Sequence, residues 1–142
     1  MPETPVEGGF SGVVIEDDPM TLEFLQDMLA LWGYAAELYT DPADALQGLL
    51  LRPEIPDFII SDLRFMGGMD GFELISNLRA VHPGQFIPAV LVTGDTNPQH
   101  ARTASERQVY LVRKPMRPSQ LQALLQKICV PAKESALPTW RP

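Results

Sequence analysis

The sequence predicts an α/β protein: a doubly wound parallel sheet with helices on both faces, a three-layer sandwich. Three observations predict it. Short apolar runs alternate five times with stretches whose apolar residues recur at helical spacing. The 142 residues hold no internal repeat and no second set of elements, which fits one domain. And the central run, Phe58-Ile59-Ile60-Ser61-Asp62, stays apolar without alternation until it stops at a carboxylate, as a strand buried on both faces does.

Residues 1–11 are polar, with Pro and Gly, and form a loose lead-in. Val13-Val14-Ile15 is a buried strand that runs into Glu16-Asp17-Asp18. Asp18 fits an N-cap with Pro19 at the first helical position. Leu22, Leu25, Leu29 and Trp32 carry that helix to Gly33, which ends it. Ala35 to Tyr39 is a second short strand. Asp41-Pro42 repeats the start signal and opens a helix through Ala45, Leu46, Leu49 and Leu50, stopped before Pro53. After the central strand, Asp70 and Glu73 have the spacing of a capping box, and Leu74, Ile75, Leu78 and Val81 follow at helical intervals. Ala89 to Val92 is the fourth strand, ending at Thr93-Gly94-Asp95. Asn97-Pro98 starts a weaker helix whose apolar face offers mainly Ala101 and Ala104. Val109 to Val112 is the fifth strand, ending at Arg113-Lys114-Pro115. Pro118 opens the last helix, with Leu121, Leu124, Leu125 and Ile128 on one face and Cys129 near its end as a small core filler. Residues 131–142 read as a Pro-containing tail, in which Trp140 is the odd residue.

Composition narrows the function. The formal charge of −7 disfavours nucleic acid as a direct partner, since a phosphate backbone needs a basic footprint. A single cysteine excludes an internal disulfide and suits a reducing cytosol. No apolar stretch approaches the roughly 20 residues that span a bilayer, and the N-terminus lacks the pattern of a signal peptide. The expectation is a cytoplasmic protein with no membrane insertion.

The polar residues at the strand ends carry the chemistry. In open α/β sheets ligands sit beyond the carboxyl ends of the strands. Strand one brings Glu16 and Asp17 there, strand three Asp62, strand four Thr93 and strand five Lys114. Like charges gathered on one rim cost stability unless something positive intervenes. A divalent cation is the natural neutraliser, and all-oxygen ligation points to Mg²⁺ or Mn²⁺ rather than zinc. A carboxylate beside such an ion can attack phosphorus and form an acyl phosphate. The charge that develops on the phosphoryl oxygens then needs cations and donors: the metal, Lys114 and the Thr93 hydroxyl, with Asp62 as nucleophile.

Over roughly residues 12–130 the chain resembles a receiver domain of the two-component response-regulator family. The residues that carry the likeness are the acidic pair Glu16-Asp17, Asp62 after strand three, Thr93 after strand four and Lys114-Pro115 after strand five. The spelling from Leu111 to Pro118 is closer to receivers attached to hybrid sensor kinases than to those fused to DNA-binding domains. The resemblance implies a flavodoxin-like fold with strand order 2-1-3-4-5. It implies Asp62 as phosphoacceptor, with Lys114 and Thr93 acting on the phosphoryl group. It implies Mg²⁺ held by Asp17, Asp62 and the main-chain carbonyl of Arg64, with Glu16 acting largely through water, and a cis Lys114-Pro115 bond. Its partners would be a histidine kinase or histidine phosphotransfer protein and a downstream effector protein. Such a domain is not an enzyme acting on a metabolite, though slow self-phosphorylation and self-dephosphorylation are expected.

Two features depart from the family pattern. The loop after Asp62, Leu63 to Gly71, is one residue longer than usual and carries Gly67-Gly68 in place of a Pro. Three residues before Lys114 stands Leu111 where receivers often have an aromatic, and Tyr110 is one residue out of phase, on the other side of its strand. Other polar residues have plainer readings. Asp18 and Asp70 are helix caps, and His82 and His100 lie solvated on helix surfaces or ends. Two other functions remain open on the residues: an Mg²⁺-dependent phosphohydrolase working through an aspartyl phosphate, and a degenerate receiver that only binds protein. The first lacks a second acid near the nucleophile, since Arg64 stands two residues on.

Overall fold

Ten elements alternate along the computed structural model, which describes residues 9–129. They are β1 (Ser11–Ile15), α1 (Pro19–Leu31), β2 (Ala35–Tyr39), α2 (Pro42–Leu51), β3 (Phe58–Asp62), α3 (Gly71–Val81), β4 (Ala89–Thr93), α4 (Gln99–Arg107), β5 (Tyr110–Arg113) and α5 (Pro118–Ile128). The Pro-containing tail with Trp140, and most of the lead-in, lie outside the described residues. The five strands form one parallel sheet in the order β2-β1-β3-β4-β5, the expected 2-1-3-4-5.

Sequence dictates which strands are central. The apolar runs of β1, β3 and β4 are buried almost throughout, whereas β2 alternates exposed and half-buried residues at one edge. Two apolar layers flank the sheet. On one side Val13, Ile15, Ile59 and Leu91 meet Leu49, Leu74, Ile75 and Leu78, from α2 and α3. On the other, Val14, Ile60, Val90 and Val112 meet Leu25 and Leu29 of α1 and Leu121 and Leu125 of α5. Successive residues of each strand thus feed opposite layers, as the pleat requires.

The start signals work as read. Asp18 Oδ2 accepts from Thr21 N at 3.0 Å, Asp41 Oδ2 from Ala43 N at 3.0 Å and Asp70 Oδ1 from Glu73 N at 2.9 Å, each satisfying a free N–H of the first turn. Helix α4 differs from expectation. It buries Ala104 alone, and Ala101 faces solvent, because two alanines make too small an apolar face to orient the helix and the polar contacts at its ends do so instead. Cys129 lies just past α5, half-buried against the α1/α5 layer, and burial pushes its thiol up to about 12. Leu111 packs on the layer that includes Ala104, while Tyr110 packs on the opposite one, the out-of-phase placement expected.

Candidate functional site

Parallel strands in this order all end on one rim, and the polar termini of β1, β3 and β5 meet there. Glu16 and Asp17 follow β1, Asp62 closes β3, and one oxygen from each of the three carboxylates lies within 4.8 Å of the others. Lys114, just beyond β5, reaches across: its Nζ is 3.4 Å from Glu16 Oε1 and 3.5 Å from Asp62 Oδ1. The Lys114-Pro115 bond is cis, as expected. Of the five residues predicted to converge, Glu16, Asp17, Asp62 and Lys114 do so directly.

Burial divides the acids into two kinds. Glu16 is only 2% exposed, whereas Asp17 and Asp62 are half-buried at the mouth. Burial pushes the Glu16 carboxyl up to about 7, with the Asp62 charge adding to the rise; a hydrogen bond from Asp18 N at 3.0 Å and the Lys114 ammonium oppose it. For Lys114 burial acts the other way, favouring the neutral amine, but Glu16 and Asp62 outweigh it and leave its pKa raised. Asp62 Oδ1 also accepts from Leu63 N at 2.8 Å, which holds the carboxylate at the strand end.

Thr93 closes β4 beside this cluster, and its carbonyl accepts from Lys114 N at 2.9 Å. Its buried hydroxyl accepts from Asp95 N at 3.0 Å, which leaves its own proton available to a ligand. The Arg64 side chain does not enter the cluster: it ion-pairs with Asp95 Oδ2 at 2.8 Å. In the loop beyond it Gly67 and Gly68 have φ of +106° and +99°, a region that L side chains rarely adopt, so the glycine pair is a backbone requirement.

Asp95 is the residue that sequence reading missed, named there only at the end of the fourth strand. Besides Arg64 it meets His100 Nε2 at 3.1 Å through the same oxygen, and its carbonyl accepts from Arg113 Nη1 at 3.0 Å. His100 is therefore not solvated: its side chain is 14% exposed, packed 6.4 Å from the Phe72 ring. His82 is corrected likewise, for its Nε2 is buried. The only signal was position, two residues after a strand-end threonine.

With this geometry in view, comparison with known proteins is decisive. Residues 13–126 match the response regulator receiver domain. The chain belongs to the response regulator receiver family. An uncharacterized 14.6 kDa protein of Leptolyngbya boryana is 34% identical over 120 residues, which cover 83% of this chain and 88% of that one. Transcriptional regulatory protein GlrR of Escherichia coli is 32% identical over 69% of this chain, but the receiver spans only 21% of GlrR. Two solved structures share the fold. A Vibrio cholerae chemotaxis protein superposes with a TM-score of 0.75 at 24% identity, covering 85% of this chain and 99% of its own. The receiver domain of a Pseudomonas aeruginosa sensor histidine kinase, solved with a magnesium ion coordinated in its active-site cleft, gives 0.71 at 23%, covering 84% and 96%. Receivers are the phosphoacceptor modules of two-component systems, generally not enzymes, and the cluster of Glu16, Asp17 and Asp62 is of the kind that marks their acceptor site. Among the described residues no helix is long and apolar enough to cross a membrane.

Proposed function

We propose that Asp62 is the phosphoacceptor, taking its phosphoryl group from a phosphohistidine on a histidine kinase or histidine phosphotransfer protein. One observation carries the reading: three carboxylates from two strand ends meet within 4.8 Å, with one ammonium 3.5 Å from Asp62 Oδ1. An Asp62 oxygen bonds to phosphorus as the P–N bond to the donor imidazole breaks, and the ring keeps the electron pair and takes up a proton. Lys114 holds the acceptor carboxylate and meets charge on a phosphoryl oxygen, and the Thr93 hydroxyl donates to another. Beside Lys114, a cleft of about 400 Å³ lined by Met20, Phe24, Pro115 and Met116 offers the donor an apolar seat.

The donor set suits a divalent cation. Three acids face a single ammonium, and one of them, Glu16, is buried, so negative charge is left uncompensated. Asp17, Asp62 and the main-chain carbonyl of Arg64 would hold Mg²⁺, with Glu16 acting through water and Mn²⁺ able to substitute. The ion, when bound, would neutralise the oxygens of the phosphoryl group in flight. The magnesium in the Pseudomonas receiver supports the same choice. The receiver works in the cytoplasm and slowly phosphorylates and dephosphorylates itself. It signals through the face formed by Thr93, α4 and β5 to an effector protein, with no direct contact to nucleic acid.

The test is incubation with Mg²⁺ and acetyl phosphate, followed by intact mass and turnover. One added phosphoryl group, blocked by a chelator and absent in Asp62→Asn, is the expected result. Addition that survives Asp62→Asn, or rapid turnover of many phosphomonoesters as in a hydrolase, would overturn it. So would a chain that binds neither metal nor phosphoryl, which would be a protein-binding module alone.

A further inference from the structure

Helix α4 is held by polar contacts at its two ends and by little apolar packing between them. Ala104 is its one buried residue, and its cap residue Pro98 supplies no side-chain hydrogen bond. The C-terminal end is clamped by Arg79. That guanidinium donates to the carbonyls of Arg107 at 2.8 Å and Gln108 at 2.8 Å, acceptors that the end of the helix leaves free, and to that of Ile87, just before β4, at 2.9 Å.

At the N-terminal end everything converges on one carboxylate. Asp95 Oδ1 accepts from Asn97 N at 3.0 Å, and Asn97 Oδ1 in turn accepts from Gln99 N, the first helical residue, at 2.9 Å. Asp95 Oδ2 faces His100 at 3.1 Å and pairs with Arg64 at 2.8 Å. Arg64 is the outsider in this group. It belongs to the loop after β3, two residues beyond Asp62.

We propose that the Arg64–Asp95 pair links the state of Asp62 to α4 through competition for a single guanidinium. The inference rests on the phosphoacceptor reading above. A phosphoryl group on Asp62 brings close to two negative charges and three strong acceptor oxygens into the neighbourhood of Arg64. Such a group matches the planar donor fork of arginine better than a carboxylate oxygen already shared with a histidine. Arg64 then leaves Asp95. The carboxylate loses its hold on the β3–α3 loop and moves with Asn97 and His100, so the first turn of α4 loosens while Arg79 keeps the other end pinned. One released end and one fixed end convert a local charge into a swing of the helix. The route suits this chain, where Leu111 rather than an aromatic ring occupies the face of β5 that packs with Ala104.

Hydrogen–deuterium exchange of the α4 amides in the full chain, with intact mass followed in parallel, tests this. Without phosphodonor, Asp95→Asn and Arg64→Ala each speed α4 exchange roughly two- to fivefold, the range a partly exposed ion pair supplies, and the double variant goes no further. With Mg²⁺ and acetyl phosphate, wild-type α4 rises to the same rate, whereas Asp95→Asn gains the phosphoryl mass with no further change in α4. Arg79→Lys serves as the contrast: it loosens α4 in both states but keeps the response. Unphosphorylated variants that exchange at the wild-type rate overturn the proposal, as does an Asp95→Asn helix that still responds. If wild type gains no mass, the acceptor reading fails by itself. The unphosphorylated comparison then still decides whether Arg64 tethers α4.

Discussion

Glu16 is the one charged side chain fully buried among the described residues, and a buried charge in company with other acids is a cost to the fold. Its carboxyl rises from the ordinary 4.5 to about 7, chiefly through burial. At roughly 1.4 kcal/mol per unit this bounds the penalty at about 3 kcal/mol, with the attraction to Lys114 already counted in it. Glu16→Gln keeps an oxygen for the Asp18 N–H and removes the charge. We expect the metal-free variant to be more stable than wild type by about 1–2 kcal/mol near pH 8 and to gain nothing near pH 5, read by urea unfolding. The same variant should bind Mg²⁺ roughly ten- to a hundredfold more weakly, since a supporting carboxylate is lost. Loss of stability near pH 8 would mean that the attraction to Lys114 outweighs desolvation. Sequence could name Glu16 and Asp17 as a pair, because both follow an apolar run. It could not tell them apart, because burial depends on which way each turns after the strand. Asp95 escaped for a similar reason: Arg64 and Arg113 lie far from it along the chain, at separations that no local pattern records, and His100 is covered by Asp95 and by Phe72 of α3.

Elements were legible where a cap and a wide apolar face agree. The helices opening at Pro19, Pro42 and Gly71 begin where their acid caps predicted, and β2 and β3 have the predicted limits. Helix α4 was harder, because two alanines define no face; its polar end contacts, invisible in periodicity, decide which way it turns. The junction of β3 and α3 shows a constraint that pattern cannot supply. A Cβ on Gly71 would collide with the carbonyl oxygen of Asp62 and with the Leu91 side chain, and Gly71 N donates to Leu63 O at 2.6 Å. The obstacle is backbone, which cannot step aside as a flexible side chain would. Gly71→Ala should therefore destabilise the fold by about 1–3 kcal/mol, the usual cost of overpacking. It should also slow phosphorylation by acetyl phosphate, because the displaced strand end is the one that carries Asp62. Unchanged stability together with an unchanged rate would show that the loop absorbs the extra carbon without moving the acceptor.

At the scale of the whole molecule, strand order alone assembles the site: β1 and β3 are neighbours, so acids remote in sequence share one rim. The unfolded chain has no such arrangement, so a cation that binds there stabilises the fold by mass action. At a hundred times its dissociation constant Mg²⁺ should add about 2.7 kcal/mol, and a domain of this size should melt roughly 8 °C higher. The pH dependence separates this from a general salt effect. Without metal, Glu16 binds its proton more tightly folded than unfolded, so between about pH 4.5 and 7 the fold holds the extra proton and stability falls as pH rises. With Mg²⁺ the order reverses, because the ion competes with that proton: the gain in melting temperature should be small near pH 5 and full near pH 8. Thermal melts at constant ionic strength, with Mg²⁺ or with a chelator, give both curves. If the two stay parallel across that window, the ion is not coupled to the buried acid, directly or through water, and the three carboxylates do not act as one site.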